Sequence, residues 1–145
     1  MTNFFRCTKN IFPVKSVVLL LFLAGFSGCG NDNVQFGGKV TFEDGSPLTT
    51  GVVIFDNGVT MSSALIRPDG TFTAGTSREN DGIPPGTYRV SISGAVELLD
   101  NPKKIFPAPS RPLIHTKLTS PETSGLTVTI DKSPQPYNII VEPPQ

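Results

Sequence analysis

The stretch "GIPPGTYRVSI", Gly82 to Ile92, decides how the rest of the chain is read. Tyr88, Val90 and Ile92 alternate with Arg89, Ser91 and Ser93. A period of two puts every second side chain on one face, the pattern of a strand with one buried face. Pro84-Pro85-Gly86 cannot continue a central strand, because proline lacks the ladder N–H, so the strand starts after it. Working outward, the same period recurs. Leu126, Val128 and Ile130 alternate with Thr127, Thr129 and Asp131, and Tyr137, Ile139 and Val141 alternate with Asn138 and Glu142. Upstream, "VVIF", Val52 to Phe55, is apolar throughout and predicts a strand buried on both faces. Leu65-Ile66 belong to a further strand ended by Pro68-Asp69-Gly70, and Phe72 to the next. Val34 and Phe36 alternate, as do Val40 and Phe42, with Gly37-Gly38 between them reading as a bulge or kink.

Asp44-Gly45, Asp69-Gly70 and Asp81-Gly82 supply turn residues that tolerate positive φ. No window after the N-terminal segment has helical spacing, and no internal repeat is visible. Seven short strands with turns between them predict an all-β chain, an antiparallel β-sandwich. One region departs from the pattern. Gly94 to Gly125 lacks strand alternation and carries Pro102, Pro107, Pro109, Pro112 and Pro121. It reads as a long proline-rich loop that could hold a short helix around Ala95–Leu99. Connections of this length inside a compact domain are usually functional or poorly ordered.

The N-terminus reads differently. The apolar run Val17–Phe26 is preceded by Arg6, Lys9 and Lys15, and no acid appears before Asp32. A membrane-spanning helix needs about 20 apolar residues. A signal peptide needs only about 7–15, after a basic leader. The run ends in Phe26-Ser27-Gly28-Cys29, which resembles the lipobox of bacterial lipoproteins, with Phe26 where the usual form has Leu. The resemblance implies a signal peptide over 1–28, diacylglycerol on the Cys29 sulfur, a lipidated tether over 29–33 and a folded domain over 34–143. The membrane lipid joined to Cys29 is then one partner. The location implied is the bacterial envelope, facing the periplasm or the exterior. Cys7 would leave with the leader, so no cysteine pair remains for a disulfide.

Loss of Arg6, Lys9 and Lys15 leaves nine basic and twelve acidic residues, net −3 over residues 29–145. An acidic chain argues against nucleic-acid binding, which depends on neutralising phosphates. The length suits one domain.

The order of the strand and turn signals resembles carboxypeptidase regulatory-like domains. "GGKVTFEDGSPLTTGVVIF" carries that family's opening at Gly38, Val40, Pro47, Leu48 and Gly51. "RPDGTF" resembles its Asp-Gly-x-Phe turn, and "GIPPGTYRVSI" its Ile-Pro-x-Gly-x-Tyr-x-Val element. "SPETSGLTVTID" resembles a segment of small bacterial lipoproteins carrying this domain. The resemblance implies a seven-stranded, transthyretin-like Greek-key sandwich with an accessory role. Its motif residues set turns and fill the core, and none transfers as a catalytic residue.

The residues themselves offer little chemistry. The single histidine, His115, lies in the proline-rich region and reads as an exposed loop residue. A triad or a zinc site needs partners placed around it, and no Gly-x-Ser-x-Gly elbow occurs. "ENDG", Glu79 to Gly82, lacks the ligand spacing of a calcium loop and reads as a turn. No enzyme activity, metal or cofactor is expected. The expectation is a monomeric structural or protein-interaction domain at the envelope. The alternative is a polysaccharide-binding module, which usually presents flat exposed aromatics. There is no Trp, and Tyr88 and Tyr137 both read as core-facing.

One electrostatic feature is not required by the fold. Lys103, Lys104, Arg111 and Lys117 fall between Asn101 and Ser120 with no acid among them, so that segment is +4 and the rest of 29–145 is −7. These four are the candidate interaction residues, for anionic lipid headgroups or acidic envelope polymers. The other reading is a solvated loop whose charges offset the acidic body.

Overall fold

The computed structural model describes residues 32–100, 103, 104 and 106–144. Cys29, the expected signal peptide over 1–28 and residues 29–31 of the expected tether lie outside them. Residues from Asp32 onward form one compact unit. The chain is all-β. In order it forms β1 (Gly37–Phe42), β2 (Val52–Asp56), β3 (Met61–Leu65), β4 (Thr71–Thr73) and β5 (Gly86–Ser93). There follow β6 (Val96–Leu98), β7 (Ser110–Pro112), a 3-10 turn (Thr116–Thr119), β8 (Leu126–Ile130) and β9 (Tyr137–Val141). Three strands make one sheet in the order β4-β1-β9, and four make another in the order β3-β2-β5-β8. These are the seven strands expected. β6 and β7 form a separate two-stranded ribbon.

Strand β5 is central, as its alternation suggests. Tyr88, Val90 and Ile92 are fully buried, and β5 pairs antiparallel with β2 on one side and β8 on the other. Val53 and Phe55 of β2 lie opposite Ile92 and Val90 on the same inner face. From the other sheet come Val40, Phe72, Ile139 and Val141, all in the same core cluster. Phe55 links the layers. Its ring lies 5.6 Å edge-on from Phe36 and 6.0 Å from Phe72. Two sheets thus share one core, as in a sandwich.

Several expectations need correction. β2 is not buried on both faces: Val53 and Phe55 are buried, but Val52 and Ile54 point to the partly open outer face. No bulge interrupts Gly37-Gly38, which lie in unbroken register with β4 and β9. They are needed because three strands converge there. A Cβ on Gly38 would sit 1.9 Å from the Tyr137 carbonyl oxygen. Val34 is not in a regular strand but makes a single bridge to Ile83. The sheets are not wholly antiparallel, since β1 and β9 run parallel. A hairpin forces antiparallel pairing, but β9 reaches β1 from the far end of the chain and is under no such constraint.

The region 94–125 is also more ordered than a loop. Ala95–Leu99 is not helical; β6 falls within it. Ile114 and Leu118 are buried in the main core. The Ser124 hydroxyl donates to the Val90 carbonyl at 2.5 Å, tying this segment to β5. The Gly75 backbone bonds to Ser63 of β3 at 2.9 Å in both directions, so the β3 edge is partly covered.

Candidate interaction surface

The chain leaves β5 at Ser93 and turns at Gly94, where φ is +66°. It then runs out along β6 and returns along β7, forming an arm from Val96 to Pro112. The Leu113 amide donates to the Ala95 carbonyl at 2.9 Å and closes the arm's base. The Leu99 amide donates to the Pro109 carbonyl at 3.0 Å and extends the ribbon beyond its strands.

Register gives the arm two faces. Val96 pairs with Pro112, Glu97 with Arg111 and Leu98 with Ser110. Side chains alternate across a strand, so Glu97 and Arg111 share one face, while Val96, Leu98 and Pro112 share the other. The first face is closed by an ion pair between Arg111 and Glu97. The second has no cover among the described residues. Leu98 is 71% exposed, and Phe106 near the tip is 86% exposed. Val96 and Leu99 are also exposed. Half of the exposed large apolar side chains among the described residues therefore sit on the arm.

The four basic residues do not form one patch. Arg111 pairs with Glu97. Lys117 lies away from the arm, in the 3-10 turn, and its ammonium binds both oxygens of Glu142 at 2.8 Å. That contact holds the Glu142 carboxyl below its usual range. Lys103 and Lys104 are exposed, and neither has an ion-pair partner among the described residues. The +4 segment is thus reduced by acids outside its boundaries. Counting Glu97 and Asp100, residues 96–112 carry a net +1.

His115 is not a free loop residue. It is half-buried, its Nδ1 accepts from the Lys117 amide at 3.1 Å, and its own amide donates to the Glu142 carbonyl at 2.9 Å. It caps the 3-10 turn. "ENDG" is a turn in which Asn80 and Gly82 have φ of 62° and 85°. The Asp81 carboxylate accepts from the amides of Thr76, Ser77 and Arg78 at 2.6–3.1 Å. Those bonds, the Thr76 amide first, hold its carboxyl below the usual range.

Tyr88 is buried, its hydroxyl donates to the Pro84 carbonyl at 2.8 Å, and burial pushes its pKa up. Tyr137 is only half-buried, stacked against Phe36 at 6.3 Å. Two surface depressions of about 300 and 340 Å³ flank the β3 edge and the start of β1. Among the described residues no three His, Cys, Asp or Glu side chains come together as a metal site, and no buried side-chain nitrogen or oxygen lacks a hydrogen-bond partner.

Phe106, Leu98 and Leu99 carry the surface's character, and alternation along the sequence does not reveal them. Their signal is an apolar residue without period in a polar, proline-rich run. No family model matches the chain, and neither a curated protein nor a solved structure matches it.

Proposed function

We propose that the chain is a non-catalytic envelope lipoprotein, held by lipid on Cys29, whose sandwich is a scaffold presenting the Val96–Pro112 arm to a partner. The observation that carries this reading is the exposed apolar face of the arm on a domain in which no buried side-chain nitrogen or oxygen among the described residues lacks a partner. An uncovered apolar cluster on a closed fold marks an interaction site. The Phe26-Ser27-Gly28-Cys29 sequence supports the anchor. The division of seven strands into sheets of three and four supports a transthyretin-like Greek-key sandwich of the carboxypeptidase regulatory-like kind.

Accessory domains act by position, and position follows from the register here. Val34 joins the domain beside Ile83, at the start of β5, and the arm leaves from the end of β5. Eight residues of strand, about 26 Å at ~3.3 Å each, separate the two. Val34 and the base of the arm therefore lie near opposite ends of β5.

Two measurements test the reading. Intact-mass analysis of the mature N-terminus should find diacylglycerol on Cys29, and Cys29→Ser should abolish it; an unmodified Cys29 contradicts the anchor. Affinity capture from native envelope, with and without Val96–Pro112, should recover a partner only with the arm present. A polysaccharide is the second reading, favoured by Phe106, the one fully exposed aromatic among the described residues. Recovery of glycan would select it.

A further inference from the structure

We propose that the tip of the arm seats in the headgroup region of an anionic lipid bilayer. This names the surface that the arm meets, so it rests on the reading of the arm as an interaction element, but not on lipid at Cys29. Three observations carry it. First, Val96 and Leu98 share a ribbon face with no cover among the described residues, and Leu99 and Phe106 beyond it are exposed. Second, the cations nearest those side chains in sequence, Lys103 and Lys104, are exposed and have no described ion-pair partner. Asp100 is the only acid between Leu99 and Phe106. Third, the rest of residues 29–145, outside the arm at 96–112, carries −4.

Together these fit an interface rather than a protein pocket. Apolar side chains enter the boundary between headgroups and acyl chains, while long lysine stems keep their ammonium groups among the phosphates. An anionic surface attracts the tip and repels the acidic body, so the molecule meets it arm first. The Glu97–Arg111 pair neutralises the opposite face of the ribbon, leaving the apolar face to set the depth.

The chain has no tryptophan, so Phe106→Trp makes a single reporter at an exposed position. The full chain carrying it is reconstituted in vesicles of phosphatidylcholine alone, or of phosphatidylcholine with phosphatidylglycerol. The expected result is a blue-shifted emission, quenched by brominated lipid, in the anionic vesicles and weakened by salt. Lys103→Ser with Lys104→Ser should lower the docked-to-undocked ratio roughly 30-fold, from about 1 kcal/mol per cation near an anionic surface. Water-like emission in both vesicle types overturns the proposal. Equal quenching in both overturns the anionic lipid as the occupant. A blue shift that grows with protein concentration in detergent, without lipid, makes the arm a self-association surface instead. Because the reporter reads the tip alone, failure here is separate from the finding of an unmodified Cys29.

Discussion

Tyr88 is where the fold can be tested most sharply. Its ring is fully buried between the sheets, and its hydroxyl donates to the Pro84 carbonyl at 2.8 Å. The two contributions can be separated. Tyr88→Phe keeps the ring and removes one hydrogen bond, a net loss of about 0.5–1.5 kcal/mol. Pro84 is only half-buried, so water can reach the vacated carbonyl and the loss stays in that range. Tyr88→Ala removes the ring and leaves a cavity between the two sheets. Large aromatic truncations of this kind cost about 3–5 kcal/mol. For a domain of this size, each kcal/mol lowers the midpoint by about 3–5 °C, so the alanine variant should melt roughly 10–20 °C lower. Urea unfolding followed by far-ultraviolet circular dichroism gives both numbers, and the m-value should not change. An alanine variant within about 1 kcal/mol of wild type would put the ring outside the core and refute the packing of β5. Equal losses in the two variants would mean that the hydroxyl, not the ring, holds the site.

Three further outcomes follow from the same structure. Gly38→Ala should cost about 3 kcal/mol or more, because its Cβ would fall 1.9 Å from the Tyr137 carbonyl oxygen; a folded variant of unchanged midpoint would mean that β1 and β9 are not in this register. Asp44, Asp69, Asp81, Glu122 and Glu142 all have carboxyl pKa values lowered in the fold, mainly by hydrogen bonds from Ser46, Thr71, Thr76, Ser120 and Lys117 respectively. Their stabilisation is present above the unfolded values near pH 4 and is lost as pH falls through the lower folded values. Acid titration of the midpoint should therefore show a decline beginning near pH 4, and a flat profile would contradict it. At the other extreme, burial raises the pKa of both Tyr88 and Tyr137. Their contribution is present below about pH 10 and lost as pH rises through the folded values, so phenolate absorbance of the folded protein should rise at higher pH than that of the unfolded chain.

The two layers are legible in the sequence because their cores are periodic. Tyr88, Val90 and Ile92 declare β5 by alternation alone, and the same holds for Ile139 and Val141 of β9. What alternation does not give is the partner of a strand. The parallel pairing of β1 with β9 depends on the return of a distant segment. The exposed outer face of β2 depends on what the other layer fails to cover, which four apolar residues in a row do not reveal. The arm is less legible still. Proline dominates its composition, and its strands are three residues each, too short for a period to register. The charge count along 101–120 is correct as a count, but it stops one residue short of Asp100 and four short of Glu97, and it leaves out Glu142. Lys117 finds Glu142 across 25 residues of chain, a pairing that only the closed fold supplies. Lys103 and Lys104 remain from the basic set. Leu98 and Phe106 enter as the apolar side chains beside them.

On the proposed function, the arm and not the sheets is the surface this protein uses. Amide hydrogen exchange of the full chain, free in detergent and reconstituted in phosphatidylglycerol-containing vesicles, tests it directly. Added protection confined to the arm, strongest around Lys103, Lys104 and Phe106, is the expected result. Protection spread over β3 or β8, or none on the arm, would contradict it.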